Sequence, residues 1–199
     1  VIIFSALPLM IRKEYMKVIL LVILATTFHM SAIIMLPIVF IVQGKAWNKK
    51  TLIFIAVAIV AVFALNNNAT LTDSLLQGTE YAGSISAMAA GGDDGVNPIR
   101  VLVSAVPMLL SFIERRIIRE ENNQLIHICV NMSIITVGLN LVAMVTSGIL
   151  VGRLAIYTNL YGFLILPYLI RKGFTKESQK IVNIMLVILY FIYYLVEVQ

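Results

Sequence analysis

The stretch VILLVILATTFHMSAIIMLPIVFIVQ, residues 18–43, contains no Asp, Glu, Lys or Arg. At 1.5 Å per residue it is long enough for one full membrane-crossing helix or for two half-helices. His29 lies near its middle, beside Phe28 and Ser31, and Pro37 follows. An uncharged apolar run of this length is typical of a membrane segment, so it predicts that the chain lies in a bilayer.

Two arrangements of residues 18–43 are open. A re-entrant pair of half-helices that turns near Phe28, His29 and Ser31 leaves both flanking groups of basic residues on one side of the membrane. A single crossing with a kink at Pro37 places Lys45, Lys49 and Lys50 on the outer side, against the positive-inside rule. We predict the re-entrant pair, because non-helical backbone is tolerated at membrane depth where it lines a polar cavity.

The composition of the whole chain agrees with a membrane protein. Of its 199 residues, 60% are hydrophobic and only 13% are charged, and the mean hydropathy is +0.97. These values exclude an ordinary soluble domain, in which about a quarter of the residues are charged. The net charge of +5 does not indicate nucleic-acid binding, because the basic residues stand in short groups between apolar runs. The single cysteine, Cys129, predicts a small buried side chain and no disulfide.

Uncharged stretches divide the chain into about six predicted crossings. They predict an all-α, polytopic integral membrane protein that forms one domain over residues 1–199. Because the first residue is Val1 and an apolar segment is already under way there, we expect the C-terminal fragment of a longer chain. The stretches are residues 1–11, 18–43, 51–65, 101–113, 122–152, 154–170 and 181–196.

Most basic residues fit the cytoplasmic side of this topology. Only Arg100 and Arg153 fall at the opposite, extracytoplasmic side, where topology gives no reason for an arginine. His127 lies just beyond Glu120 and Glu121 near a predicted cytoplasmic helix end, and this position predicts an interfacial role. The cytoplasmic groups are Arg12, Lys13 and Lys17; Lys45, Lys49 and Lys50; Arg115, Arg116 and Arg119; and Arg171, Lys172, Lys176 and Lys180.

The longest polar segment, about residues 66–97, predicts an extracytoplasmic loop without Lys or Arg. It contains Asp93 and Asp94 within a glycine-rich run that is typical of turns. Loops of this length are more often lids or binding loops than plain connections. The two aspartates could hold a divalent cation loosely, but the sequence has no His, Cys, Asp and Glu cluster with metal-ligand spacing, and we predict no metal site and no cofactor.

Three further residues are candidates for chemistry. His29 is an ionisable group in an apolar segment and could act as a general base, unless it only bonds to Ser31 or a nearby carbonyl. Arg100, which follows Asn97 and Pro98, and Arg153 each open a predicted helix, and their planar guanidinium groups suit phosphate oxygens. Contact with lipid headgroups is the competing explanation for both arginines.

Polar residues also interrupt the apolar stretch of residues 122–152. Polar side chains of this kind in a membrane helix are typical of hydrogen bonds to neighbouring helices. The four residues are Asn131, Ser133, Thr136 and Asn140.

Three groups of residues together resemble the EpsG-type, Wzy-like polysaccharide polymerases of bacterial inner membranes. They are Phe28-His29-Met30-Ser31-Ala32 followed by Leu36-Pro37, then Asn97-Pro98-Ile99-Arg100 after a polar loop, and Gly152-Arg153 with Tyr157. The resemblance covers most of the chain. Members of the family usually have further N-terminal spans, including an Arg-containing stretch, which this sequence lacks.

The resemblance implies glycosyl transfer on the outer side of the bacterial inner membrane. A glycan linked to undecaprenyl pyrophosphate would pass to the acceptor hydroxyl of an incoming lipid-linked repeat unit. We expect Arg100 and Arg153 to stabilise the departing pyrophosphate and His29 to be the base, with Asp93 or Asp94 as its substitute.

The same resemblance suggests further contacts and partners. Asn97, Asp93 and Asp94 are candidate substrate-binding residues. Tyr157 is another, and it could bond to a pyrophosphate oxygen, stack on a sugar or lie in an interfacial belt. The expected partners are the lipid-linked oligosaccharide and the lipid bilayer, with a chain-length regulator and a flippase as further candidates and no nucleic acid.

Other functions are compatible with the same residues. A transporter or flippase of lipid-linked oligosaccharides could use the arginines to bind pyrophosphate, although the sequence has no internal repeat. An O-antigen-ligase-like transferase would displace the same lipid pyrophosphate. A membrane acyltransferase or a structural subunit are further alternatives.

Overall fold

The structure, a computed structural model, describes residues 1–66, 96–145 and 151–198. Within these ranges the chain is helical and contains no strand. The predicted loop of residues 66–97 lies almost entirely outside the described residues, and so do Asp93 and Asp94. The helices are α1 (Ile2–Ser5), α2 (Leu7–Ile11), α3 (Tyr15–Phe28), a 3-10 helix (Met30–Ile34), α4 (Met35–Ile41), α5 (Lys49–Asn66), α6 (Pro98–Ile113), α7 (Arg115–Glu120), α8 (Gln124–Val145), α9 (Val151–Gly173) and α10 (Lys176–Val198).

Helices α8, α9 and α10 contain segments that are long and apolar enough to cross a membrane. The segments are Gln124–Val145, Val151–Gly173 and Lys176–Leu195. A further four apolar helical stretches in the described residues are shorter than a usual span. The all-helical membrane architecture therefore agrees with the prediction, and the total of about six crossings stays a prediction.

Helix α8 forms the centre of the bundle and packs against α5, α6 and α9. Most of its residues are buried, including Cys129, as the sequence predicted. The ring of Phe54 in α5 packs directly against Gly138 of α8. An added Cβ atom at Gly138 would lie 2.6 Å from Cε1 of Phe54, so this contact requires a glycine.

Polar side chains of α8 connect it to other segments. Asn140 donates to Oγ of Ser104 at 3.0 Å, and Thr136 donates to the hydroxyl of Thr158 at 2.8 Å. These bonds confirm the predicted interhelical hydrogen bonding. The prediction is wrong for Ser133, which bonds to the carbonyl oxygen of Cys129 in its own helix, because a helical serine readily reaches back one turn.

Helices α3 and α4 form a hairpin with His29 at its tip. The rings of Tyr15 and Phe40, near the start of α3 and the end of α4, lie 5.5 Å apart. Helix α3 ends at Phe28, where His29 adopts extended backbone angles of φ −150° and ψ 105°. With 14 residues, α3 rises about 21 Å, less than the roughly 30 Å of a bilayer core. The break lies where the sequence placed it, and the re-entrant path of this hairpin stays a prediction.

The predicted cytoplasmic groups of basic residues meet at one end of the bundle, called here the basic end. Asn131 donates to the carbonyl oxygen of Lys45 at 3.2 Å. The Nε2 atom of His127 lies 2.9 Å from the backbone carbonyl oxygen of Glu121. Glu121 forms an ion pair with Lys172 at 3.0 Å. The side chain of His127 is thus buried and bonded to backbone rather than exposed at an interface.

The group Arg12, Lys13 and Lys17 also lies near the basic end, because the α3–α4 hairpin connects it there. Lys50 donates to the carbonyl oxygen of Phe40 at 3.2 Å, and Phe40 contacts Tyr15, two residues before Lys17. Gly152 and Lys172 lie near opposite ends of α9, about 30 Å apart along its axis. Arg153 is therefore separated from the basic end by roughly the thickness of a bilayer core, as the sequence predicted.

Candidate functional site

The first turn of α6 positions Arg100. The side-chain oxygen of Asn97 accepts from the backbone N–H of Ile99 at 2.9 Å and caps the helix, and Pro98 occupies the first helical position. Arg100 then points toward α9, where its Nη2 donates to the carbonyl oxygen of Gly152 at 3.3 Å. Asn97 thus has a structural role as a helix cap, since its acceptor oxygen is engaged by the backbone.

The contact between Arg100 and Gly152 depends on the lack of a side chain at Gly152. An added Cβ atom there would lie 2.9 Å from Cγ2 of the buried Val96 and 4.0 Å from Nη1 of Arg100. Val96 is held in place by the bond from its N–H to the carbonyl oxygen of Ala143, at 3.2 Å. The Gly-Arg pair in the sequence therefore lets α9 begin directly beside the guanidinium group of Arg100.

Arg153 is the next residue of α9, and its side chain is exposed. It lies one residue from the carbonyl group that Arg100 contacts. Both arginines are thus at the same end of the bundle, opposite to the basic end. Two guanidinium groups near two helix N-termini provide positive potential for an anion at this end.

Tyr157 lies one turn beyond Arg153 on the same face of α9, because residues four apart in a helix are neighbours. Its hydroxyl group lies 2.9 Å from Oγ of Ser31, and either oxygen could donate. This hydrogen bond connects α9 to the 3-10 helix that follows His29. Two of the three sequence groups that carried the family resemblance are therefore in direct contact.

His29 is exposed at the tip of the hairpin, and its side chain has no hydrogen bond within the described ranges. The alternative of a histidine bonded to Ser31 or to a nearby carbonyl is thus not what the structure contains. A cavity of about 270 Å³ opens here, and His29 shares its lining with Tyr157, Phe28, Ala25 and Ala32, together with residues 1–3. An imidazole in this position is accessible to a substrate.

The predicted residues Arg100, Arg153, Tyr157 and His29 lie at or near this end of the molecule. Arg153 opens α9 beside Arg100 of α6, Tyr157 follows one turn further, and His29 lines the same cavity as Tyr157. A cationic region thus adjoins a cavity that holds a titratable base. Such a pairing can bind an anionic group and move a proton on a group beside it.

The sequence patterns did not indicate a second polar region, which surrounds Arg100. Ser104, Asn140 and Asn159 surround Arg100 together with Tyr190 and Tyr193 of α10. The enclosed space, about 10 Å³, is the size of one water molecule. Asn140 is 2% exposed, and its Oδ1 has no hydrogen-bond partner among the described residues. The sequence signal was the run of polar residues in α8, but only the packing shows that Asn140 lies beside Arg100.

The sequence model of the EpsG family matches residues 1–199. The chain belongs to the EpsG family. EpsG is a family of Wzy-like polysaccharide polymerases, so membership confirms the resemblance that the sequence motifs indicated. Neither a curated protein nor a solved structure matches the chain.

Membership of the EpsG family agrees with the architecture. The family consists of membrane proteins for polysaccharide synthesis, and α8, α9 and α10 provide candidate spans. At the level of the family, the chain is a polysaccharide polymerase of the glycosyltransferase type.

Proposed function

We propose that this chain transfers a glycan from undecaprenyl pyrophosphate to a lipid-linked repeat unit at the extracytoplasmic face of the bacterial inner membrane. The observation that supports this most is the position of Arg100 and Arg153 at the end of the bundle opposite to the basic end. Under the positive-inside rule the basic end is cytoplasmic, so the two arginines face the outside.

The arginines would act on the leaving group. As the bond between C1 of the donor sugar and the pyrophosphate oxygen breaks, its electron pair moves onto undecaprenyl pyrophosphate. The guanidinium groups of Arg100 and Arg153 stabilise the negative charge that develops there, and they do so more in the transition state than in the ground state. Arg100 is already oriented by its bond to Gly152, so little reorganisation is needed.

His29 would act on the acceptor. The acceptor hydroxyl oxygen attacks C1 of the donor sugar and forms the new glycosidic bond, and its proton passes to the imidazole of His29. The exposed position of His29 in a cavity, without a competing hydrogen bond from the described residues, supports this role. Asp93 or Asp94 is the substitute candidate for the base, and Tyr157 is positioned to contact the pyrophosphate or a sugar.

The test uses Arg153→Ala and Arg153→Lys in the producing bacterium, with glycan chain length measured on gels. Arg116→Ala is the matched control, because Arg116 is an exposed arginine at the basic end. Removing one donor to a developing oxyanion costs about 2.7 to 4 kcal/mol in other enzymes, so we expect single-repeat products from both Arg153 variants.

Membrane levels of all variants must match those of the wild type. Long chains from Arg153→Lys alone would mean that charge is sufficient and that the planar guanidinium fork is not required. Unchanged long chains from both Arg153 variants would remove Arg153 from the site and favour a transporter of the same lipid.

A further inference from the structure

A groove of about 420 Å³ runs between α9 and α10, and its lining is almost entirely apolar. No described side chain of α10 between residues 176 and 195 is buried, so this helix packs loosely and leaves the space open. Phe163 and Ile170 of α9 and Leu186 and Tyr190 of α10 are among the lining residues. A volume of this size is within the range of pockets that hold small ligands, about 300 to 1,000 Å³.

The groove adjoins the polar region around Arg100. Phe163 and Tyr190 line both spaces, and their rings lie 5.0 Å apart at the boundary between them. On the polar side of this ring pair are Arg100, Ser104 and Asn140, whereas the other side is apolar. A ligand that follows this path would therefore need a polar, anionic end and a long apolar chain.

The dimensions of the path fit such a chain. Along α9 the lining residues run from Ala155 through Phe163 to Ile170, which is about 22 Å of helix. The apolar hydrocarbon core of a bilayer is about 30 Å thick. An extended chain in the groove would thus lie roughly along the membrane normal and end near the basic end.

We propose that the groove between α9 and α10 holds the isoprenoid chain of the lipid-linked substrate, with its phosphate end directed toward the end of the bundle where Arg100 and the exposed Arg153 lie. This inference rests on the proposed function, which supplies an isoprenoid pyrophosphate as the ligand. It adds a second role for Arg100, which lies both beside Gly152 and at the polar end of the groove. It also makes α10 a substrate-binding element rather than only a membrane anchor.

The isoprenoid is the occupant that the charges favour. Arg100 lies at one end of the path, and Arg153 is next to its contact partner Gly152, so an anionic group has two guanidinium groups nearby. The middle of the groove, between Phe163 and Ile170, contains no charged lining residue. This distribution matches a lipid whose charge is confined to one end.

The test is photo-cross-linking with the full-length protein in nanodiscs of phosphatidylethanolamine and phosphatidylglycerol. A benzophenone amino acid replaces Leu186, which lines the groove, or Ile188, which is 53% exposed and does not line it. The probe is radiolabelled undecaprenyl pyrophosphate. We expect strong labelling at position 186 that excess unlabelled undecaprenyl pyrophosphate removes, and weak labelling at position 188 that it does not change.

Equal labelling at both positions, or labelling at position 186 that only added phospholipid removes, would overturn the inference and assign the groove to ordinary bilayer lipid. Cross-linking needs no catalysis, so it separates the two proposals. Specific labelling in a protein that forms no polymer would uphold the groove and contradict the proposed glycosyl transfer. Polymer formation without specific labelling would support the proposed glycosyl transfer and contradict the proposed groove.

A second variant gives a kinetic measurement. Leu186→Trp fills the groove, whereas Ile188→Trp adds the same side chain on the opposite face of α10. We expect Leu186→Trp to raise the KM for an undecaprenyl-linked substrate roughly tenfold, the factor expected when about two buried methylene groups lose their contacts. The KM for an analogue with a short isoprenoid chain should not change. An equal effect on both substrates would mean that the tryptophan only disturbs packing.

Discussion

The hydroxyl groups of Ser31 and Tyr157 lie 2.9 Å apart and join the tip of the α3–α4 hairpin to the second turn of α9. The bond spans 126 positions in the sequence. It keeps His29 and Tyr157 in the lining of one cavity. The position of the proposed base relative to the arginines at the start of α9 therefore depends on this contact.

We expect Tyr157→Phe and Ser31→Ala each to lower stability by about 0.5 to 1.5 kcal/mol, the usual value of one hydrogen bond. The double variant should be about as stable as the less stable of the two single variants, because the same hydrogen bond can be lost only once. The measurement is the thermal unfolding midpoint of the purified protein in detergent. Additive losses would show that the two hydroxyl groups act independently.

Polymerisation assays on the same variants separate the two roles of Tyr157. If the tyrosine only holds the hairpin, Ser31→Ala and Tyr157→Phe should reduce polymer formation to a similar extent. A loss confined to Tyr157→Phe would mean that its hydroxyl group contacts the substrate.

His29→Ala should abolish most activity without affecting the fold. The side chain is exposed and has no hydrogen bond within the described ranges, so its removal should leave the unfolding midpoint unchanged. A general base typically contributes a factor of about 10² to 10⁴ to the rate, and we expect a loss of that size in the rate of repeat-unit addition. Thr27→Ala, at an exposed neighbouring position, is the control. Normal activity of His29→Ala would transfer the role of base to Asp93 or Asp94.

Gly152→Ala should push the start of α9 away from Val96 and so weaken the contact between Gly152 and Arg100, because the new Cβ atom would lie 2.9 Å from Cγ2 of Val96. Overpacking of this kind typically costs about 1 to 3 kcal/mol. The second substitution Val96→Ala removes the clashing methyl group, so Val96→Ala/Gly152→Ala should regain both stability and polymer formation. The comparison requires unfolding midpoints and glycan chain lengths for both single variants and the double variant. A double variant as impaired as Gly152→Ala would show that the clash is not the cause.

Asn131→Leu should be among the most destabilising changes in the bundle. The buried side chain donates to the carbonyl oxygens of Val42 and Lys45, at 2.9 and 3.2 Å, and accepts from the N–H of Trp47 at 3.0 Å. Leucine would leave three backbone groups without these partners, and each unsatisfied buried group costs about 1 to 3 kcal/mol.

Ser133→Ala is the matched control for Asn131→Leu, because Ser133 lies on the same buried helix but its hydroxyl group bonds, among the described residues, only to the carbonyl oxygen of Cys129. We expect a much smaller drop in the unfolding midpoint for this variant. Equal losses for the two variants would contradict the assignment of Asn131 as the residue that holds the α4–α5 connection.

Sequence patterns predicted most of the helices, although not α7, Arg115–Glu120, and they did not predict which helices pack together. The uncharged stretch of residues 154–170 corresponds to α9, Val151–Gly173, and the stretch of residues 101–113 corresponds to α6, Pro98–Ile113. Helix ends extend beyond the apolar runs because polar residues such as Asn97 cap them. The apolar pattern identifies a helix but does not specify which face meets which partner, since every face is apolar in a membrane helix.

The candidate site was predicted only in part for the same reason. Motifs placed His29, Arg100, Arg153 and Tyr157 in the site, and the structure brings His29 to Tyr157 and Arg100 to Gly152. The position of Asn140 beside Arg100 depends on the packing of α6 against α8 and has no local signal. Asn97 was predicted to bind substrate, but its position before Pro98 is equally typical of a helix cap.

Glu114 should make stability depend on pH. It lies between α6 and α7 at the basic end, its side chain is almost completely buried, and burial raises its pKa from 4.5 to about 7. Between these two values the unfolded chain has already lost the proton that the folded chain still holds. Stability therefore falls as the pH rises from about 4.5 to about 7, and the full penalty remains above that range.

Glu114→Gln removes this penalty, because the amide is nearly isosteric and cannot ionise. We expect the variant to be more stable than the wild type at pH 8 by roughly 1 to 3 kcal/mol, since one pKa unit corresponds to about 1.4 kcal/mol. At pH 4 the two proteins should be nearly equal. Glu120→Gln, at an exposed position, is the control substitution. Parallel unfolding midpoints for wild type and Glu114→Gln across pH 4 to 8 would mean that Glu114 remains ionised in the folded protein.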